Sequence, residues 1–196
     1  MFSRNTFKIV DFLLRNIQDY NIDETARELK ISVGSAHKIL KSLEEDKVIK
    51  SKKLGNAIYY RLNLENKEAR KLSELVLIDS KGRALDSNPQ ASIYAKDLQE
   101  AEHFTKAAAL FGSIVDKKQA KDIDVLFITK RNAVKRVENF CLRLSSLRMR
   151  KIAPLIMTSN DLKNNIKKRD KVILDIFKKA IIIYGEDKIV EILRTI

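Results

Sequence analysis

Two short groups of residues in this sequence have the types and the spacing to handle a phosphate and a divalent cation. Gly112 and Ser113 end an apolar run that starts at Ala107, and Asp122 and Asp124 open a second run that alternates like a strand. Side chains on a strand alternate between faces, so carboxylates two residues apart point the same way and can share one Mg²⁺ or Mn²⁺ ion. A glycine lets the backbone approach a phosphate, and a serine hydroxyl can donate to it. Gly112 and Ser113 are therefore candidate phosphate-binding residues, and Asp122 and Asp124 candidate metal ligands.

Competing chemistries lack their residues. One cysteine, Cys141, and two histidines, His37 and His103, cannot build a Cys/His metal site, and the histidines fall in different expected domains. Ser113 has no histidine near it in sequence to act as its base. Gly112 is not followed by the Gly-Lys-Ser of a phosphate-binding loop. Cys141 recurs at helical spacing with Val134, Val137 and Leu144, the pattern of a core residue rather than a nucleophile.

The elements that must position the candidate site alternate helix with strand. Apolar periodicity predicts helices over 91–105, 133–150 and 160–179 and one after Gly185, and strands through the two site runs, over 152–158 and over 180–184. Pro154 should keep its strand short or at a sheet edge. Such alternation makes an α/β sheet.

Gly112-Ser113 followed by Asp122-Ile123-Asp124 resembles the nucleotidyltransferase superfamily that includes DNA polymerase β and the minimal nucleotidyltransferases. The resemblance implies a small mixed α/β fold in which Asp122 and Asp124 are the catalytic, metal-holding carboxylates and Ser113 meets a nucleoside triphosphate. The chain departs from the family pattern at three places. Val115, Asp116, Lys117 and Lys118 stand where a second glycine usually falls, and Lys121 replaces the serine usual before the first aspartate. The strand expected to bring a third carboxylate, 152–158, contains none; Asp116 and Asp161 are the nearby substitutes.

The first part of the chain reads differently. A helix over 6–20 repeats Val10, Leu13, Leu14 and Ile17; Asp23 is placed to cap a short helix ending at Leu29; and Ser32 is placed to cap a third from Val33 to about Asp46 that buries Ala36, Ile39, Leu40 and Leu43. Opposite that buried face lie Gly34, His37, Lys38 and Lys41, with Ser35 and Ser42 at one flank. Strands over 48–53 and 57–62 follow, joined by Leu54-Gly55-Asn56, where Gly and Asn suit positive φ. This order resembles the winged helix-turn-helix domain of many archaeal and bacterial regulators. Such a domain implies double-stranded DNA as partner, with Ser35, His37, Lys38 and Lys41 reaching base edges or phosphates, and Lys50, Lys52, Lys53 and Arg61 setting the wing on the backbone. A further helix over 66–78 carries the stripe Ala69, Leu72, Leu75 and Val76, suited to homodimerisation or to packing on the second domain.

Composition agrees with a polyanion partner. Among 196 residues, 39 Lys and Arg face 26 Asp and Glu, a formal charge of +13, and 44% hydrophobic residues with 5 Gly and 2 Pro indicate a folded, helix-rich chain. To Leu85 there are 17 basic against 12 acidic residues, and beyond it 22 against 14, so both parts are basic. In the second part the excess gathers at Lys130, Arg131, Lys135, Arg136, Arg143, Arg148, Arg150 and Lys151, and again at Lys167, Lys168, Arg169 and Lys171. These are either a second polyanion surface or the outward faces of helices. No aromatic residues interleave them, which disfavours single-strand binding.

The expected organisation is an N-terminal winged helix over 1–78, a linker over 79–90 rich in Asp, Ser, Gly, Asn and Pro, and a mixed α/β nucleotidyltransferase-like domain over 91–196. No apolar run reaches the roughly 18 residues that cross a bilayer, Asp11 interrupts the first apolar stretch, and one cysteine suits a reducing compartment, so a cytoplasmic protein without membrane contact is expected. Three functions are compatible. The first is a DNA-binding regulator of transcription whose second domain binds nucleotide and Mg²⁺ but has lost catalysis. An active nucleotidyltransferase, moving a nucleoside monophosphate to a protein or nucleic acid acceptor as antitoxin-like members do, is the second. The third is a regulator whose second domain only supports dimerisation.

Overall fold

The first helix, α1 (Arg4–Asn16), begins where the Ser3 hydroxyl accepts the Thr6 amide and ends where Ile17 turns left-handed at φ 51°. The structure, a computed structural model, describes residues 3–116 and 120–196, and its two units divide between Val76 and Leu77.

In the first unit, α1 is followed by β1 (Tyr20–Asn21), α2 (Ile22–Leu29), α3 (Val33–Glu45), β2 (Ile49–Leu54) and β3 (Ala57–Leu62). Asn21, not Asp23, caps α2, in a capping box with Glu24. Ser32 caps α3 as its sequence predicts. Strands β2 and β3 pair through to Leu54 opposite Ala57, so the hairpin turns on Gly55 and Asn56. Gly55 alone of these two has positive φ, at 59°. Strand β1 adds to the outer edge of β3, giving an antiparallel sheet in the order β1-β3-β2. Ile9, Val10 and Leu13 of α1 meet Leu40 and Leu43 of α3 and Ile49 and Tyr60 of the hairpin in one core. Three helices and a two-stranded wing packed this way are a winged helix.

The next helix, α4 (Lys67–Asp86), gives Ala69, Leu72 and Val76 to that core. Three of the four apolar residues weighed for dimerisation are thus consumed inside the unit, while Leu75 stays 53% exposed. The helix also overturns the expected irregular linker over 79–90. It continues to Asp86, and only Ser87 and Asn88 separate it from α5 (Pro89–Leu98). Leu77 is buried and Ala84 and Leu85 pack on the core of the second unit, so tertiary contacts outweigh a composition that otherwise favours a loop.

The second unit continues through a 3₁₀ turn (Gln99–His103), β4 (Ala107–Phe111), β5 (Ile123–Ile128), α6 (Val134–Arg148), β6 (Ile152–Met157), α7 (Ser159–Lys167), α8 (Lys171–Lys179), β7 (Ile181–Tyr184) and α9 (Glu186–Arg194). The strands form a mixed sheet in the order β6-β5-β4-β7, with β5 and β6 parallel and the other pairs antiparallel. Pro154 does lie on an edge strand. Ala108, Leu110, Val125 and Phe127 pack on Tyr94, Leu98, Val137 and Phe140 of α5 and α6. Residues of the other parity, Ala109, Leu126 and Ile182, are buried too, and α7 and α9 lie against β6 and β4, so the sheet is covered on both sides. The single helix expected over 160–179 is two: Arg169 turns left-handed at φ 56° and Asp170 caps α8 through the Ile173 amide. Thr158 rather than Ser159 caps α7. Among the described residues no helix is long and apolar enough to cross a membrane.

Phe127 is fully buried and meets Phe140 edge-on at 6.4 Å between ring centroids. Phe127→Ala should cost about 3–5 kcal/mol, the cost of deleting a fully buried aromatic ring, read as a lower midpoint in equilibrium urea unfolding.

Candidate functional site

Strand register brings the Gly-Ser and Asp-x-Asp groups to one end of the sheet. Phe111, the last residue of β4, pairs with Asp124, the second residue of β5. Gly112 then leaves the strand at φ 71° and opens a 3₁₀ turn (Gly112–Ile114) that carries Ser113, half-buried. A Cβ built on Gly112 would lie 3.0 Å from Asp124 Cγ and closer still to its Oδ2. Glycine is therefore required twice, by its φ and by the carboxylate seated against it. Asp122 is exposed on the bend before β5, and Asp124 is half-buried.

Burial, and then the charge of Asp122, raises the Asp124 carboxyl above the ordinary carboxylate range. Among the described residues neither aspartate has an ion pair or a side-chain hydrogen bond. Two adjacent carboxylates, one partly desolvated and neither offset by a cation there, fit the chemistry of a divalent metal site.

The register also accounts for the third carboxylate. On β6 the residue beside Asp124 is Ala153, followed by Pro154. Asp161 lies past the far end of β6, where its carboxylate caps α7 by accepting from the Thr158 amide and hydroxyl at 2.9 and 2.7 Å, bonds that lower its pKa. Asp116 is exposed beyond the Gly-Ser turn and pairs with Lys179 at 3.7 Å. No group of three or more Asp, Glu, His or Cys that could hold a metal occurs among the described residues. Lys117 and Lys118 lie outside those residues.

Several residues not singled out by the motif support this edge. The Arg150 guanidinium donates to the Ala120 carbonyl, and the Lys151 carbonyl accepts the Ile123 amide at 2.9 Å, so the turn into β6 holds the segment entering β5. Asn88 donates to the Ile114 carbonyl at 2.7 Å. The Asn-Pro pair at 88 and 89 is a legible helix start, but the bond to residue 114 leaves no local sequence signal.

In the winged helix, His37, Lys38 and Lys41 are exposed on α3, while Ser35 and Ser42 join Lys38 along a cleft shared with Ser3 and Asn5 of the α1 end. On the wing, Lys50 stands directly opposite Arg61, and Lys52 opposite Tyr59, so Lys50, Lys52 and Arg61 share one face. Lys53 falls on the other face, with Ser51, whose hydroxyl donates to Glu44. None of these cations has an ion pair among the described residues. Three arginines of the second unit differ. Arg143 and Arg148 pair with Glu100 and Asp97, and Arg136 stacks 4.4 Å from the Phe104 ring centroid. Cys141 is buried, and its thiol is pushed up to about 12 by burial and by Glu138, in keeping with a core role.

A winged helix in one chain with a mixed α/β unit that carries Gly-Ser and Asp-x-Asp at one sheet end defines a class: a winged helix fused to a nucleotidyltransferase-like domain. Residues 95–189 match the family model described as polymerase beta, nucleotidyltransferase. Solved structures similar to this chain include the homodimeric winged helix-turn-helix DNA-binding domain of a possible ArsR-family transcriptional regulator from Mycobacterium bovis, at 18% identity and TM-score 0.33 over 40% of this chain and 68% of that one. Others are the adhesin competence repressor of Streptococcus pyogenes, at 18% identity and TM-score 0.35 over 50% and 67%, and a zinc-responsive MarR family member from Lactococcus lactis, at 19% and 0.33 over 74% and 76%. No match was found among curated proteins.

A carboxyl whose pKa is higher in the fold than in the unfolded chain binds its proton more tightly when folded. Stability from that group is greatest at low pH and declines as pH rises through the unfolded value toward the folded one. Asp124→Asn removes this decline. The variant should melt higher than the parent at neutral pH, with the difference closing as pH falls below the carboxylate range; thermal melts across pH check it, and a variant that melts lower throughout would contradict it.

Proposed function

We propose that the chain is a DNA-binding regulator of transcription whose second unit binds a nucleoside triphosphate with Mg²⁺ or Mn²⁺ and no longer transfers it. The observation that carries the DNA reading is the face formed by Lys50 and Arg61, paired directly across the hairpin. Like charges opposed across strands destabilise a sheet, and a phosphate backbone between them removes the penalty. His37, Lys38 and Lys41 on α3 would enter the major groove, with Ser35 at the flank, and Lys50, Lys52 and Arg61 would rest on the adjacent backbone. Lys53, on the opposite face of the wing, would contribute through its charge rather than a shared contact. A homodimer reading a two-fold site is the assembly this reading implies, and the cytoplasm its compartment.

For the nucleotide, Asp122 and Asp124 would hold the metal, and the Gly112-Ser113 turn would meet the phosphates. A bound metal would supply charge neutralisation of the phosphates. Ala153 beside Asp124 supports binding without transfer, since that neighbouring strand position offers neither a base nor a further ligand. An active enzyme would have to recruit Asp116, which pairs with Lys179.

Two measurements test these readings. Duplex affinity should fall steeply with salt; Lys38→Ala with Lys41→Ala should weaken it, and Lys50→Ala with Arg61→Ala should reduce the slope of log affinity against log salt by about 2, one per lost phosphate contact; a flat salt response would remove the DNA reading. Calorimetry with ATP and Mg²⁺ should show binding that Asp122→Ala with Asp124→Ala abolishes, while labelled ATP with candidate acceptors should show no transfer; transfer would favour the enzyme instead.

A further inference from the structure

We propose that Asn88 is a positioning residue for the Gly112-Ser113 turn, holding from outside the site the backbone that would meet a phosphate; the purpose of the turn rests on the nucleotide reading above. Asn88 is 6% exposed. Its amide is divided between two tasks. Oδ1 accepts the Ala91 amide at 3.0 Å and so caps α5. Nδ2 donates to the carbonyl of Ile114 at 2.7 Å, the last residue of the 3₁₀ turn that starts at Gly112.

Capping alone does not require asparagine, because aspartate and serine cap a helix equally well. The second bond does. Ile114 is 1% exposed, and its carbonyl meets a buried side chain that, at this length and at neutral pH, an amide makes both acceptor for the helix and donor to the turn where a carboxylate could only accept. Within the turn, the Val115 amide donates to the Gly112 carbonyl at 3.1 Å, so the Asn88 bond and this one fix the short segment from both ends. Gly112 in turn lies against the Asp124 carboxylate. A shift of the turn would therefore move the phosphate-facing backbone relative to the proposed metal ligands, without altering any of them.

The cap and the turn bond separate by substitution. Asn88→Asp keeps the capping oxygen but sets a carboxylate oxygen against the Ile114 carbonyl, which repels it. Asn88→Ser keeps a capping oxygen, adds no charge and is too short to reach residue 114. In the full chain at neutral pH, hydrogen exchange at 113–115 should rise roughly tenfold in both variants while α5 keeps its protection. In Asn88→Asp alone, protection of the turn should return as the pH falls and the carboxyl gains a proton to donate, after correction for intrinsic exchange. Affinity for ATP with Mg²⁺ at neutral pH should drop about fivefold or more in both variants, a modest loss of preorganisation. Turn exchange unchanged in Asn88→Ser and Asn88→Asp overturns the positioning role whether or not nucleotide binds. Absence of ATP binding by the parent chain overturns the nucleotide reading and with it the purpose assigned to the turn, and the exchange data distinguish that failure from the first.

Discussion

The carboxylate of Asp124 sits against a backbone atom, and it can do so only because residue 112 has no side chain. The contact follows from register: once Phe111 pairs with Asp124, the next residue of β4 must turn away beside that carboxylate, and a left-handed glycine makes the turn. Partial burial beside a second aspartate is unfavourable for a lone carboxylate. The sheet can impose it because β4 and β5 are buried along almost their whole length, so slipping the register by one residue would exchange the packed sets of the two faces, move Phe127 off Phe140 and carry Asp124 to the face that packs on α5 and α6. The helices α5 and α6 on one face, and the bonds from Arg150 and Lys151 into the segment before β5, all serve to keep this pairing in place.

A surplus of thirteen positive charges does not by itself indicate where a polyanion would bind. The contacts divide the cations into two kinds. In the second unit, Arg136, Arg143, Arg148 and Arg150 are committed to an aromatic ring, to carboxylates or to a carbonyl of the same unit. The cations of α3 and the wing have no such partner among the described residues, and Lys50 and Arg61 repel each other across the hairpin. Of the eight basic residues read from sequence around α6, the four arginines Arg136, Arg143, Arg148 and Arg150 are therefore committed to contacts within their unit.

What was legible in the sequence is what local pattern dictates. The hairpin at Gly55, the cap at Ser32, the strands on either side of the candidate site and the edge position of Pro154 all carry their signal within a few residues. Most of the misses arise from tertiary context, while the cap of α2 at Asn21 has a local signal in Glu24 three residues on. Strand β1 is two residues long and exists only because Tyr60 and Tyr59 are beside it. The break at Arg169 has no glycine or proline to announce it. The expected linker is helix because Leu77, Ala84 and Leu85 find a core, with Gly82 tolerated where nothing crowds it. The α4 stripe, read as suited to dimerisation or to packing on the second domain, instead gives Ala69, Leu72 and Val76 to its own winged helix and leaves Leu75 exposed.

The absence of an acid from 152–158 is plain in the sequence, and the register shows which residue stands beside Asp124 instead. A strand parallel to β5 can present a side chain beside Asp124 at one position only, and Ala153 fills it. The next residue, Pro154, has the parity of the opposite face, so no one-residue shift of an acid along β6 would serve. Asp161 follows the far end of that strand, about 16 Å away at the usual rise per residue, and its carboxylate is spent on the cap of α7. Two carboxylates can balance the charge of a single divalent ion. A second ion would add two more positive charges at a point where β6 supplies only a methyl group, and its cost would fall on the phosphates alone. The proposed reading, a site that would hold a metal-bound triphosphate without cleaving it, rests on this difference: binding needs charge balance and a backbone turn, whereas transfer also needs a group to take the acceptor's proton.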